Sequence, residues 1–353
     1  MSLDLRQQYP LPSAPVPIVI IGAGGIVRDA HLPAYRKAGL PVAGLFDIDG
    51  SRAHALAKEW GIPRVFNSLH EAAAAVGCVF DVAAPPVAHA EIVASLPRGA
   101  AVLLQKPMGL DLGAATRIRA ACRERGLIAA VNFQLRFAPM MLGVAEALER
   151  GLLGKLVDIE VHLNLVTPWH LFPHLKSDSR VEIVSHSIHY LDLIRAVAGN
   201  PRGVLARTYG HPASELAQTR TSAILDYGRD LRVTLSINHH HDFGRRFQDA
   251  SFRFEGDRGA AMAKLGLLLN YPAGEPDELW VAGIGGPWEP ISLTGRWFPD
   301  AFIGTMANLQ RFAAGEDKVL YSSVEDAWHT MALVEACYRS NAADATPIPS
   351  RSI

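Results

Sequence analysis

The sequence predicts an α/β fold: a doubly wound parallel sheet in the N-terminal part, followed by a second α/β domain with a large, mainly antiparallel, open-faced sheet. Three observations predict it. An apolar run, Pro17 to Ile21, ends abruptly in Gly22-Ala23-Gly24-Gly25 and passes into a helical pattern reaching about Ala38. Short apolar runs then alternate with helical stretches as far as Val131, which implies right-handed crossovers and a parallel sheet. Beyond about Asn132 the strands become longer and alternating, and turns such as Tyr227-Gly228-Arg229-Asp230 join them as hairpins do.

The first run is continuous in apolar residues, as a strand buried on both faces must be. Glycine at 22 and 24 lets the backbone turn sharply and approach a pyrophosphate with no Cβ in the way, and the helix that follows points its unpaired N–H groups at the phosphates. The next strand, Val42 to Phe46, ends at Asp47, a carboxylate placed to accept the ribose hydroxyls of an adenosine. Gly22, Gly24, Gly25, Ile26 and Asp47 thus compose a dinucleotide site, with Val27 standing where a third glycine would complete G-x-G-x-x-G. Ile48 and Asp49 follow Asp47, leaving no adjacent cation for a 2′-phosphate, so NAD is expected over NADP; Arg52 nearby argues the other way.

A helix is expected over Ser51 to Trp60, and Ser68-Leu69-His70-Glu71 reads as a capping box opening another. The strand Phe80 to Ala84 runs into Pro85-Pro86-Val87-Ala88-His89 and a helix to Leu96; the strand Ala101 to Leu104 ends at Gln105-Lys106-Pro107. A helix from about Asp111 to Arg125 and a strand Leu127 to Val131 close the first domain, 1–131. Ligands on such sheets lie beyond the carboxyl ends of the strands, where Gly22, Asp47, Pro85 and Lys106 all fall. The second domain, 132–353, begins with a helix, Pro139 to Arg150. Its strands are expected at Val157 to Leu165, Gly203 to Tyr209, Thr221 to Tyr227, Leu231 to Asn238 and Ala250 to Glu255, interrupted by a helix from about Glu182 to Ala198. Helices over Phe302 to Ala314 and from the capping box Ser322-Ser323-Val324-Glu325 to Ser340 end the chain, the last ones packing back towards the first domain.

At 353 residues the chain suits two domains, and with 49% apolar residues and a formal charge of −1 nothing invites nucleic acid or an anionic membrane. A small-molecule ligand is the expected partner. No apolar run approaches the roughly 18 residues of a membrane span, and the polar, proline-rich opening has no signal-peptide pattern. Cys78, Cys122 and Cys337 lie far apart in apolar contexts and read as buried thiols, which fits a reducing cytoplasm.

The order of motifs resembles that of the glucose–fructose oxidoreductase, inositol dehydrogenase and MocA (Gfo/Idh/MocA) family of NAD(P)-dependent oxidoreductases, over nearly the whole chain. Gly22-Ala23-Gly24-Gly25-Ile26 with His31 looks like the family's first turn, and Ala84 to His89 like its Thr-Pro-x-x-x-His segment. Gln105-Lys106-Pro107 stands where the family usually has Glu-Lys-Pro, and Val131 to Phe137 is similar to its passage into the second domain. Ser185-x-x-x-His189-x-x-Asp192 falls where the family commonly shows Asp-x-x-x-His-x-x-Asp, and Val334 to Ser340 is similar to its closing helix. The resemblance implies Pro85, His89, Gln105, Lys106 and Gln134 as further coenzyme contacts, a sugar, cyclitol or related polyol as substrate, and a homo-oligomer, dimer or tetramer, joined through the open sheet face.

Hydride transfer belongs to the cofactor; the protein must move one proton on or off the oxygen of the reacting carbon. Lys106 ends a buried strand at the cofactor edge, where desolvation lowers an ammonium's pKa, and a neutral Gln105 does not hold it protonated as a glutamate would. It is the expected acid/base and a substrate contact. On a helical repeat Ser185, His186 and His189 share a broad face with Glu182, and the family's acid at 185 would pair with the histidine. Without that acid three readings of His189 stand open: a working base with altered support from His186 or Glu182, a substrate hydrogen-bonder beside Lys106, or a lost activity. Pro168-Trp169-His170-Leu171-Phe172-Pro173-His174 reads either as a loop that grips a sugar ring through Trp169 or as one packed on the domain edge. His239-His240-His241 puts at most two imidazoles on one strand face, so a polar wall towards substrate is expected and no metal. The alternative to an enzyme is a non-catalytic regulator that binds nucleotide and sugar on the same fold.

Overall fold

The computed structural model describes residues 3–171, 173–271 and 273–348. The N-terminal sheet contains β1 (Ile18–Ile21), β2 (Val42–Phe46), β3 (Val79–Val82), β4 (Ala101–Leu104) and β5 (Ile128–Val131), all parallel in the order β2-β1-β3-β4-β5. Strand order reverses between β1 and β3, so a crevice opens at their carboxyl ends. The sheet is doubly wound. Its helices are α1 (Leu32–Ala38), α2 (Gly50–Trp60), α3 (Leu69–Ala73), α4 (His89–Ser95) and α5 (Leu112–Arg125). Asp49, Ser68 and Asp111 cap α2, α3 and α5 through side-chain oxygens that accept N–H groups of the first turn.

One face of this sheet is completed from the far end of the chain. Phe302, Met306 and Leu309 of α8 (Asp300–Ala313) join Ile18, Ile20, Leu45 and Leu103 in one apolar cluster. The other face continues without a break, through α4, α5 and α9 (Val324–Ala342), into the core of the second domain. Ser323, not Ser322, caps α9 through a bond from the Asp326 N–H, one residue later than the sequence pattern suggests.

The second sheet has eight strands in the order β13-β12-β11-β10-β6-β9-β8-β7. They are β6 (Leu156–Asn164), β7 (Gly203–Tyr209), β8 (Arg220–Asp226), β9 (Arg232–Asn238), β10 (Asp249–Gly256), β11 (Gly259–Lys264), β12 (Glu278–Gly283) and β13 (Glu289–Pro290). It is antiparallel except where β6 and β9 run parallel at its centre. Alternation buries Ile159, Val161, Val233, Leu235, Phe252 and Phe254 on the inner face, under α6 (Pro139–Glu149), α7 (Ile188–Ala198) and α9. The opposite face of this sheet is left open. That face carries the ion pairs Arg253–Glu160, Arg232–Asp158 and Lys264–Glu278, with exposed apolar groups at Leu205 and Ile224, directly paired across β7 and β8.

The expected helix over 182–198 begins as a π-turn, Ile183–Ser187, before α7 takes up the α repeat. A second π-turn, Val27–His31, precedes α1. Val27, at the position of the missing glycine, is fully buried in this widened turn, which makes room for a branched side chain beside the strand.

Candidate active site

The glycine turn is shaped for a dinucleotide. Gly22 has φ +114°, and a Cβ there would meet the Ala83 carbonyl carbon and oxygen at 2.7 Å, so the chain crosses β3 only as glycine. A Cβ on Gly24 would meet nothing within 4 Å: it would project into the open cradle ahead of the helix. Gly25 and Ile26 continue this turn, and Val27 and Arg28 return their N–H groups to the Gly24 carbonyl. At the end of β2 the Asp47 carboxylate accepts the N–H of Ala23 (2.6 Å) and of Asp49 (2.8 Å). A carboxylate has about four acceptor positions, so two remain for a ribose diol, and the residues present fit the adenosine half of NAD. Arg52 reaches to 3.8 Å of Asp47 from the first turn of α2.

At the other end of the crevice lies a cavity of about 380 Å³, walled by both halves of the chain. Ile26, Pro86, Gln105, Lys106 and Gln134 line it from the first half; Thr167, Ser185, His186, His189, Trp297 and Phe298 line it from the second. Pro85 ends the strand connection beside it, and His89 lies wholly beneath that loop, with Nε2 3.0 Å from the Ala84 carbonyl oxygen. Burial pulls the His89 pKa down to about 4, so it anchors the loop as a neutral ring and is not among the residues that line the cavity.

Lys106 and His189 therefore share one space. Lys106 Nζ donates to the Ser185 carbonyl at 2.8 Å, a carbonyl that the π-turn presents to it. Burial alone lowers its pKa to about 8. The His189 ring is held edge-on between Phe133 (6.5 Å) and Trp297 (6.1 Å), and its buried Nδ1 has no hydrogen-bond partner. Burial, and then the nearby Lys106, push its pKa well below the usual imidazole value, so the ring is neutral.

Of the two readings of the Trp169 loop, the packing of the ring agrees with a loop set on the domain edge and not with a grip on substrate through Trp169. Its ring does not line the cavity; it packs on Leu175, Val181 and Leu216 and stands edge-on to His186 and His239, at 4.9 and 5.5 Å. Phe172 of the same loop, and the side chains of Pro173 and His174, lie outside the described residues. The aromatic wall comes instead from Trp297 and Phe298, ahead of α8, and from Tyr271. The run Arg296-Trp297-Phe298-Pro299 was the available signal. Among the described residues no group of three or more His, Cys, Asp or Glu side chains could hold a metal ion.

Two family models cover most of the chain: the NAD-binding Rossmann fold of the GFO_IDH_MocA oxidoreductase family over residues 16–133, and that family's C-terminal alpha/beta domain over residues 145–349. The chain belongs to the Gfo/Idh/MocA oxidoreductase family. It is 24% identical over 337 residues to D-apiose dehydrogenase of Paraburkholderia graminis, covering 91% of this chain and 86% of that one. Its fold matches an oxidoreductase from Agrobacterium radiobacter in complex with NAD+, L-tartaric acid and magnesium, with a TM-score of 0.78, 21% identity and coverage of 93% and 97%. It also matches levoglucosan dehydrogenase in complex with NADH and levoglucosan, with a TM-score of 0.76, 16% identity and coverage of 93% and 98%.

Against the family's pattern, the two departures at 105 and 185 have different consequences. Neither acid on the helix replaces the carboxylate missing at Ser185: Glu182 is fully buried and turned to Ser187, Thr221 and His239. Asp192 is bound by two N–H groups of Arg136 at 2.6 Å each and by the Thr330 hydroxyl. At 105 the amide is matched to its surroundings. Gln105 Oε1 accepts the Lys106 backbone N–H (2.8 Å), which turns the amide nitrogen to His31 Nε2, 3.0 Å away. That ring nitrogen must accept, so Nδ1 carries the proton and gives it to Asp81 (2.6 Å), which also accepts from Tyr35 (2.7 Å). A glutamate at 105 would set an anion against the bare nitrogen. Gln105→Glu removes the donated N–H and sets a carboxylate oxygen against that lone pair. The variant is expected to be about 1–3 kcal/mol less stable than the parent, as urea unfolding of the two proteins would measure.

Proposed function

We propose that the chain is an NAD-dependent oxidoreductase that interconverts a secondary alcohol and a carbonyl on a sugar, cyclitol or related polyol. The observation that carries this reading is a cavity at the end of the glycine turn shared by a lysine from one half and a neutral histidine from the other. The names of the relatives support the substrate class: besides D-apiose dehydrogenase, they include D-glucoside 3-dehydrogenase of Escherichia coli.

In this reading Gly22, Gly24, Gly25, Ile26 and Asp47 hold the dinucleotide, and Gln105, Gln134 and the Pro85 loop border its nicotinamide end. The coenzyme, when bound, supplies the group that accepts or gives the hydride. Lys106 handles the proton: as the free amine it takes the alcohol proton, and as the ammonium it returns one. His189, neutral and without a carboxylate, positions the reacting oxygen by a hydrogen bond. Ser185 and His186 complete the polar wall, and Ser185 fixes Lys106 through its carbonyl. Trp169 supports His186 from behind.

Asp47 favours NAD, because a 2′-phosphate would meet its carboxylate. Asp47→Ser is expected to lower the NAD:NADP ratio of kcat/KM about 10- to 100-fold, with Arg52 then free for the phosphate; steady-state kinetics with both coenzymes would check this. Leu205 and Ile224 on the open sheet face support an oligomer, dimer or tetramer, joined there. The free thiols of Cys78, Cys122 and Cys337 support a reducing, cytoplasmic setting.

The test is a spectrophotometric screen of the purified protein with NAD and NADP against polyols and aldoses. Turnover on at least one supports the reading. Coenzyme binding with turnover on none would favour a regulator that binds nucleotide and sugar without chemistry.

A further inference from the structure

A buried chain of three side chains ends in the wall of the cavity. Glu182, with no exposed surface, accepts the Ser187 hydroxyl on Oε1 (2.6 Å) and the Thr221 hydroxyl on Oε2. Its Oε1 also faces His239 Nε2 at 3.3 Å, and His239 Nδ1 lies 2.8 Å from the hydroxyl oxygen of Thr167. Thr167 borders the cavity, just beyond the end of β6.

The polarity of this chain follows from its inner end. A carboxylate that receives two hydroxyl protons is an acceptor throughout, so the ring nitrogen opposite it carries the imidazole proton. His239 Nδ1 is then bare and takes the Thr167 O–H. The hydroxyl proton of Thr167 is committed inward, and only lone pairs of its oxygen are left for the cavity. The His239 ring is clamped by its neighbours, 4.9 Å from the His186 ring and 5.5 Å from Trp169, and is 1% exposed, so it does not turn over to reverse the pattern.

We propose that Thr167 is a specificity-determining residue, whose oxygen, held as an acceptor by His239 and Glu182, receives the O–H of a substrate hydroxyl other than the one oxidised. The proposal rests on the sugar or polyol reading above. A substrate with a carbonyl, an ether oxygen or a bare C–H at that position would shut water out of the cavity, leave that lone pair unpaired and be rejected. His239 and Glu182 are positioning residues: they act on substrate only through Thr167.

Two measurements on the full chain with NAD bound test this. The first is the protonation pattern of the His239 ring by long-range 15N–1H NMR. A protonated Nε2 with a bare Nδ1 is expected; a protonated Nδ1, alone or with Nε2, overturns the proposal. The second is kcat/KM for the best polyol of the screen beside each of its monodeoxy analogues. In the parent one analogue should lose about 10- to 100-fold. Thr167→Val should lose about as much on the intact polyol and cease to discriminate that analogue, while Thr167→Ser restores the discrimination. A Thr167→Val enzyme that rejects every deoxy analogue as the parent does overturns the proposal. Absence of turnover on all polyols would count against the oxidoreductase reading alone, since the ring-nitrogen pattern still decides the polarity of Thr167.

Discussion

Lys106→Met is expected to lower kcat for the best polyol about 1000-fold while the protein still folds and binds NAD, because it removes a cavity amine whose pKa burial brings down to about 8, within reach of proton exchange near neutral pH. The neutral His189 is a poor substitute: burial holds it well below the usual imidazole pKa, and its Nδ1 has no hydrogen-bond partner. The sign of the pH dependence follows from Lys106. Burial brings it down to about 8, so alcohol oxidation, which needs the free amine, should rise as pH passes through about 8 and then level. Carbonyl reduction needs the ammonium and should fall over the same interval. Lys106→Arg should not rescue oxidation, since a guanidinium keeps its proton. Initial rates in both directions, followed by the absorbance of the reduced coenzyme across that range, measure each of these outcomes. A His189→Gln variant, which keeps a hydrogen-bonding side chain, should leave the pH of the transition in place.

Arg136→Met is expected to cost about 3–5 kcal/mol of stability, the largest structural effect predicted for the chain. Arg136 stands at the junction of three elements: the 3-10 turn Gln134–Phe137 that carries it, α7 through Asp192, and α9 through Asp326. Arg195 reaches Asp326 and Thr330 from the same side. Removing the guanidinium leaves Asp192, 1% exposed, with the Thr330 hydroxyl as its one hydrogen-bond partner among the described residues. The double variant Arg136→Met with Asp192→Leu should recover most of the loss, since a matched apolar pair replaces a buried ion pair at little cost. Urea unfolding of parent, single and double variants checks both statements. Because Gln134 and His189 are on the joined elements, the same network sets the distance between the two walls of the cavity.

The division into a parallel and a mainly antiparallel sheet was legible because each strand type has its own pattern: unbroken apolar runs in β1 and β4, alternation in β6, β8 and β10. Strand β11 escaped the reading because Gly-Ala-Ala-Met-Ala-Lys has no β-branched or aromatic residue, and its small side chains are set by the neighbours β10 and β12. The π-turns at 27–31 and 183–187 follow a pattern indistinguishable by residue type from an ordinary helix start. In the site, Lys106, Ser185 and His189 were readable because each sits at a strand end or on one helix face. Glu182 and His239 were readable singly, as a possible support for His189 and as part of a polar wall, but their connection to each other and to Thr167 was not, because contacts between residues this far apart in the chain have no period. Trp169 was legible as an aromatic and misleading as a contact: its ring faces a small apolar cluster and two histidines.

A crystal structure of the full chain with NAD bound is the most direct test of the central claim that coenzyme, Lys106 and His189 meet in one cavity. The account predicts the pyrophosphate over Gly22 to Gly25, the adenosine ribose on Asp47, and the nicotinamide against Ile26 and Gln105 with its reactive face open to Lys106 Nζ and the His189 ring. A nicotinamide lying elsewhere, or one shielded from the Lys106 amine by protein, would contradict it.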